Sequence, residues 1–510
     1  MTSETLGEVT LSGAKRDAAV IGWVWYAVLS LFAVLIGAGT SHLEGEPLFF
    51  VAAAAVLLWL VPFPGRLVVV LCAGFLIGDR AFAVLMWSGL GLPIFITEAV
   101  VAVTSSLLLL KYLLRPSTAT LQLNMGLVRK PALVFWSVGT TVLLTSVWHC
   151  LEGSGQLVPT LRNAALFYYS IFYLIVLATF DEVRLSLKLT HAFIAVIVLM
   201  SIRYLLDWSA MLPDLPGAIL ADMFVVVATI AASVLFCTLP VLQYTRTAIV
   251  LLVLISTAVV FTDIRQGLLG LLCGGLCSYW LLSRFRLMSW SHRKTILIFL
   301  ALFVGTLVLL WMRKDSIVSQ AGLPGRSSTY SSMSEFVPIW SHMINRDFSD
   351  TGRSVMWAAF LEDMFQSWDS VVFGVGFDRL FIPEWFFTFQ TREILTNKTT
   401  GAVQLDPHNS HLNLFYRIGL IGFVAYLFLI QRAFRSSFRY LRDGQDARLK
   451  YYTIGYLAAL TSVAGQALVG VLFEAPHRGI WFWVLLGVCT CFPRVALADE
   501  VRASNEEARA

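Results

Sequence analysis

Charge is scarce in this sequence. Aspartate, glutamate, lysine and arginine make up 14% of its 510 residues, where a soluble domain carries roughly 25%. The mean hydropathy of +0.76 points the same way. A chain this apolar belongs in a bilayer. Cysteine is missing where a framework would need it: Cys72, Cys150, Cys237, Cys273, Cys277, Cys489 and Cys491 all fall in or beside apolar runs. Neither a disulfide scaffold nor a zinc site is implied, and the Cys489-x-Cys491 pair reads as packing. Internal repeats are lacking, and low-complexity sequence is confined to the polar stretch after Asp499. No cleavable leader is expected, because Met1–Lys15 is polar and the first apolar run ends in no small-residue cleavage pattern. The net charge of +5 sits in particular loops, so it speaks of topology and gives no hint of nucleic acid, which is not expected as a partner.

What is present is a series of about fourteen apolar runs, judged against the ~20 residues a spanning helix needs. They lie near 19–38, 47–62, 67–87, 93–114, 131–151, 163–181, 187–206, 217–240, 246–262, 266–283, 295–312, 412–432, 451–473 and 479–493. An all-α polytopic membrane protein of about 12–14 transmembrane helices is expected. Arginine and lysine gather in Arg432–Lys450, in the 284–294 and 115–130 loops, and before the first run. By the positive-inside rule these are cytoplasmic, as are both termini.

One segment breaks the pattern of short loops. Arg313 to Asp406 has no spanning run, yet it carries Trp340, Trp357, Trp368, Trp385 and several phenylalanines to bury. Its size marks it as functional, and the topology puts it outside the cytoplasm. Asp350-Thr351-Gly352 before RSVMWAAFLEDMF reads as a capped helix, and FGVGFD (Phe373–Asp378) as a glycine turn. Its GxG follows no βα unit and does not signal a nucleotide site. The expected organisation is a transmembrane bundle (1–312), a partly helical loop domain (313–411), two C-terminal spans (412–495) and a cytoplasmic tail (496–510).

At the far end of this loop stands DPHNSHLNLFYRIGLIG. Asp406 followed by Pro407 predicts a helix start, with His408 and His411 on one face of its first turns. A helix N-terminus attracts anions. Ionisable residues in or near spans are functional candidates, and they gather at the same external level: Arg265 opening a span, Arg203 and Asp207, Glu98 and Asp222, Arg353 heading the loop helix, and Glu474, His477 and Arg478 in FEAPHRG. Each alone could be an interfacial anchor, as in an Asp263–Arg265 or Arg203–Asp207 pair. Together they suit a phosphate-bearing donor held by arginine forks and a neutral histidine acting as base. Glu44-Gly45-Glu46 reads as a solvated turn, so no metal is called for.

The order Asp263-Ile264-Arg265, GRSVMW, FGVGFD, HNSHLNLFYRIGLIG and EAPHRGIWFWVLLG resembles the bacterial O-antigen ligase and polymerase superfamily, from roughly Arg265 to Leu486. The resemblance implies a glycosyltransferase fold of the GT-C type in the inner membrane, generally metal-independent and without cofactor. Its donor would be undecaprenyl-diphosphate-linked glycan on the periplasmic side. It further implies Arg265 and Arg353 as diphosphate-binding residues and His408 as the catalytic histidine. Asp406, Asn409, His411, Glu474, His477 and Arg478 are supporting candidates by position alone. The expected activity is polymerisation of an O-antigen or exopolysaccharide; the runner-up is ligation of the glycan to lipid A core. Membrane lipids and polysaccharide export proteins are the further expected partners. A transporter of lipid-linked sugars is the reading from another class, but it would show midplane charges and paired repeats.

Overall fold

A computed structural model describes residues 72, 86–87, 94–95, 105, 128–153, 157–180, 182–208, 221–261, 265–297, 351–379, 409–473 and 475–507. Every expected span that falls largely within these residues is a helix; the first four expected spans and 295–312 lie largely outside them. The reason is general: hydrocarbon offers no partner to a peptide group, so a spanning backbone must satisfy its own hydrogen bonds.

In chain order come a two-residue antiparallel pairing of β1 (Met86–Trp87) with β2 (Ile94–Phe95), then α1 (Arg129–Leu151), α2 (Leu157–Tyr168), α3 (Ile171–Thr179), α4 (Val183–Trp208), α5 (Ala221–Thr238), α6 (Thr245–Phe261) and α7 (Arg265–Arg284). The loop segment contributes α8 (Thr351–Met364) and α9 (Trp368–Phe373). The chain closes with α10 (Ser410–Asp443), α11 (Ala447–Ala467) and α12 (Pro476–Glu507). Among the described residues, 7 helical stretches are long and apolar enough to cross a membrane. The protein is a multi-pass, all-α membrane protein.

Two boundaries differ from expectation. The arginine-rich segment after residue 432, expected as a loop, is a continuation of α10 to Asp443, and α12 runs through Pro493 to Glu507, where a tail was expected. At about 1.5 Å per residue, the 34 residues of α10 span ~50 Å, well beyond the ~30 Å hydrocarbon core. The helix is therefore longer than a span needs, and Arg439 and Arg442 near its end are exposed.

The bundle is organised around α11. Its buried positions fall on every side, from Leu449 to Ala467, and it packs chiefly on α5 and α7, with α12 also alongside. Buried inside it, the Gln466 amide Nε2 donates to Thr229 Oγ1 of α5 at 2.7 Å, tying two helices by a bond that hydrocarbon could not replace. By contrast, α7 and α10 keep Leu272, Leu276, Leu427 and Phe428 exposed, as helices facing lipid do. Within the same core an aromatic group gathers on Tyr426 of α10, which touches Phe135, Phe473, Phe482 and Trp483.

Candidate active site

The expected helix cap moves by three residues. The N-cap of α10 is Asn409, in extended backbone, with its Oδ1 accepting from Leu412 N at 3.0 Å. Asparagine caps as well as aspartate, and Ser410 decides between them by its tertiary bonds. The buried Ser410 hydroxyl donates to Gly470 O (3.2 Å) and accepts from Leu472 N (2.7 Å) and Phe473 N (3.1 Å). The head of α10 is thereby stitched to the turn between α11 and α12. Asp406, His408 and Glu474 lie outside the described residues.

The same turn collects two more helix heads. Gln266, in the first turn of α7, lies against Gly470, where an added Cβ would stand 2.5 Å from its Cδ. Arg478, in the first turn of α12, donates from Nη1 to Val471 O at 3.0 Å. Three helix N-termini, those of α7, α10 and α12, thus converge on residues 470–473. Each contributes about half a positive charge from its unpaired N–H groups. The backbone brings Arg265, the first residue of α7, to the same end as Asn409, His411 and His477. Arg353 stands in the first turn of α8. The side chains of Arg265, Arg353 and His477 are outside the described set.

His411 is built into the fold. A carbonyl only accepts, so Nε2 carries a proton and donates to Ala464 O at 3.0 Å, while Tyr426 OH meets Nδ1 at 3.0 Å. The ring also stands edge-on to Phe473, 5.2 Å between centroids. Nε2 ties α10 to α11 and Nδ1 is held by a later turn of α10 itself, so neither faces a reactant without breaking one of these contacts.

Beyond the head, α10 is broken at Gly419, whose φ of 66° and ψ of −174° interrupt the helix. The carbonyls released by the break are taken by the glycine turn of the loop: Val375 N donates to Tyr416 O (2.9 Å) and Gly376 N to Arg417 O (3.3 Å). No side chain fits in this joint. A Cβ on Gly374 would lie 2.2 Å from Arg417 O, and one on Gly419 2.4 Å from both Gly374 N and Val372 O. The turn is fixed on its other side by α1 and α2, where Ser146 Oγ accepts from Phe377 N (2.8 Å), Asn163 Nδ2 donates to Phe377 O (2.9 Å), and His149 pairs with Asp378 at 3.0 Å. From α8, buried Asp363 accepts from Tyr416 OH and from Arg379 Nη2 (2.6 Å).

None of His149, Asp363, Asp378 or Arg417 was among the residues expected from sequence to form the site. For Arg417 a signal existed: it is the one charged residue between His411 and Arg432 in an otherwise apolar run. The other three carry no local mark, because their partners are remote in the chain. Among the described residues, no group of three histidine, cysteine, aspartate or glutamate side chains could hold a metal ion.

Residues 249–427 match the family model described as O-antigen ligase. That match supports the O-antigen ligase and polymerase superfamily for this chain. It takes in α6 to α9, the glycine turn and α10 as far as Leu427, and so both halves of the Gly374–Gly419 joint. The 470–478 turn lies beyond it. A comparison with curated proteins found no match.

Proposed function

We propose that this protein is an inner-membrane glycosyltransferase that uses undecaprenyl-diphosphate-linked glycan at the periplasmic face. The observation that carries the reading is the convergence of three helix N-termini on one turn, with Arg265 heading one of them, in a chain whose matched region is that of O-antigen ligases. Such a place favours an anion. Arg265 and Arg353 hold the donor diphosphate through planar forks. The acceptor hydroxyl attacks the anomeric carbon, the bond from that carbon to the diphosphate oxygen breaks, and undecaprenyl diphosphate leaves with the electron pair. His408 takes the hydroxyl proton. Asn409, the next residue in the chain, caps α10. No metal is assigned a role.

Polymerisation is the favoured outcome, on the ground that the sequence of the external loop is rich in aromatic residues suited to gripping a growing glycan. Ligation to lipid A core is the second reading, favoured by the description of the matched family. Glycan analysis of a strain lacking the gene separates them: single repeat units on the lipid anchor mean a polymerase, and long lipid-linked chains mean a ligase.

The mechanism is tested by transfer from purified lipid-diphosphate glycan. Base catalysis contributes about 10²–10⁴-fold, so His408→Ala loses that much in turnover while donor affinity holds. Arg265→Lys and Arg353→Lys lose on the order of ten- to a hundredfold, through donor affinity. Full turnover in His408→Ala would move the base elsewhere.

A further inference from the structure

Arg417 stands in the apolar run of α10 and is 3% exposed. Burying a guanidinium is costly unless its donors are used, and here they are. Nη1 donates to Gly376 O (3.0 Å) and Arg379 O (2.5 Å), and Nε reaches Asn413 Oδ1 (3.4 Å). The backbone carbonyl of the same residue accepts from Gly376 N at 3.3 Å. One residue therefore grips Gly376 by both its peptide groups. It does so about two turns into a helix whose ladder fails at Gly419, where the carbonyls of Tyr416 and Arg417 turn to the loop for partners.

The two pieces so joined have different loads. The turn continues from α8 and α9, and α8 carries Arg353 in its first turn; α10 begins two residues after His408 in the sequence. We infer that Arg417 is a positioning residue for transfer: it clasps the α8–α9 segment to the broken α10, so that donor-holding and proton-accepting groups keep one register. The inference rests on the glycosyl-transfer reading above. Lysine's single nitrogen could serve the carbonyls that Nη1 serves but not Asn413 as well, and methionine none.

The test uses the full-length protein in lipid nanodiscs, with amide hydrogen exchange at residues 372–379 read beside kcat and the donor KM. Arg417→Met should speed exchange of Val375 and Gly376 about tenfold or more, leave α11 protected, and lower kcat on the order of a hundredfold with little change in KM. Arg417→Lys should recover part of both together. Faster exchange with unchanged kcat overturns the proposal, and so does lost kcat with unchanged exchange. Should Arg417→Met also expose α11, Asp363→Asn is the milder probe. It keeps Arg417 and the shape of the contact but weakens the Tyr416 and Arg379 bonds, so exchange and kcat must again move together. A wild-type protein inactive on lipid-diphosphate glycan sinks the transfer reading and the positioning role with it, while exchange still reports the clasp. Full activity in His408→Ala sinks only the choice of base.

Discussion

The two ends of α10 solve the same problem with different materials. Each end has a buried tyrosine whose hydroxyl donates to a carboxylate: Tyr416 to Asp363 at the head, Tyr440 to Glu500 (2.6 Å) at the tail. At the tail the partners are near neighbours in the bundle. Glu500 of α12 also accepts from Gln445 N (2.8 Å) and Asp446 N (2.9 Å), closing the short turn into α11. Ser436 and Ser437 bond to the carbonyls of Thr490 and Cys489 to hold the helices parallel. The backbone there is regular, and Gly444 follows the helix at an ordinary φ of −66°. At the head, the partner is a loop segment, the helix is broken, and glycines at positive φ meet face to face. The tail is a fastening; the head is a fitted joint beside the candidate site. Only glycine adopts such a backbone at no steric cost, and neither Gly374 nor Gly419 leaves room for a side chain.

The largest effect expected from breaking this contrast is at Gly419. Gly419→Ala puts a methyl carbon where Gly374 N and Val372 O stand at 2.4 Å, and on a backbone with φ of 66°. Backbone atoms cannot step aside as a flexible side chain does, so the glycine turn must leave α10. A cost of about 3 kcal/mol or more is expected, read as loss of transfer and as loss of exchange protection over residues 374–377. Normal transfer in this variant would mean the joint is not part of the working site.

A smaller effect is expected at the tail. Glu500→Ala removes the acceptor for one hydroxyl and two backbone N–H groups. The carboxylate is partly in water, so the loss is at the low end for such bonds, about 1–2 kcal/mol. The melting temperature should fall by a few degrees, with turnover per folded molecule unchanged. A fall in turnover at equal folded fraction would show that the two ends are coupled through the helix.

These contrasts also show what the sequence made legible. Hydropathy located α1 through α7 and α10 through α12, because a spanning helix is written in its own composition. The glycine turn was legible as a turn, and Arg265 and Arg353 were placed correctly at helix heads. The docking of the turn on Tyr416 and Arg417 was not legible, since it depends on a break that only Gly419 marks, and a helix tolerates a lone glycine. The cap fell to Asn409 in place of Asp406 for a similar reason: both residues cap well, and the bonds of Ser410 to residues 470–473 lie sixty residues away. His411 illustrates the limit best. Its spacing from His408 placed both on one helix face and made it a supporting candidate by position, but its neighbours, Ala464 and Tyr426, belong to α11 and to a later turn of α10.

The finest comparison removes a single oxygen at each end. Tyr416→Phe leaves Asp363 bonded to Arg379, and Tyr440→Phe leaves Glu500 bonded to two backbone N–H groups, so neither carboxylate is stranded. Both rings are fully buried, with Tyr416 edge-on to Phe360 at 4.7 Å, so phenylalanine fills the same space in each. What changes is one hydrogen bond at each end, about 0.5–1 kcal/mol. If the head is a fitted joint, Tyr416→Phe loosens α8 against α10 and lowers kcat several-fold, with a small shift in melting temperature. If the tail is only a fastening, Tyr440→Phe lowers the melting temperature by a degree or two and leaves kcat per folded molecule at the wild-type value. Equal ratios of activity loss to stability loss in the two variants would erase the distinction between the ends, because a purely structural bond changes the amount of folded protein and nothing else.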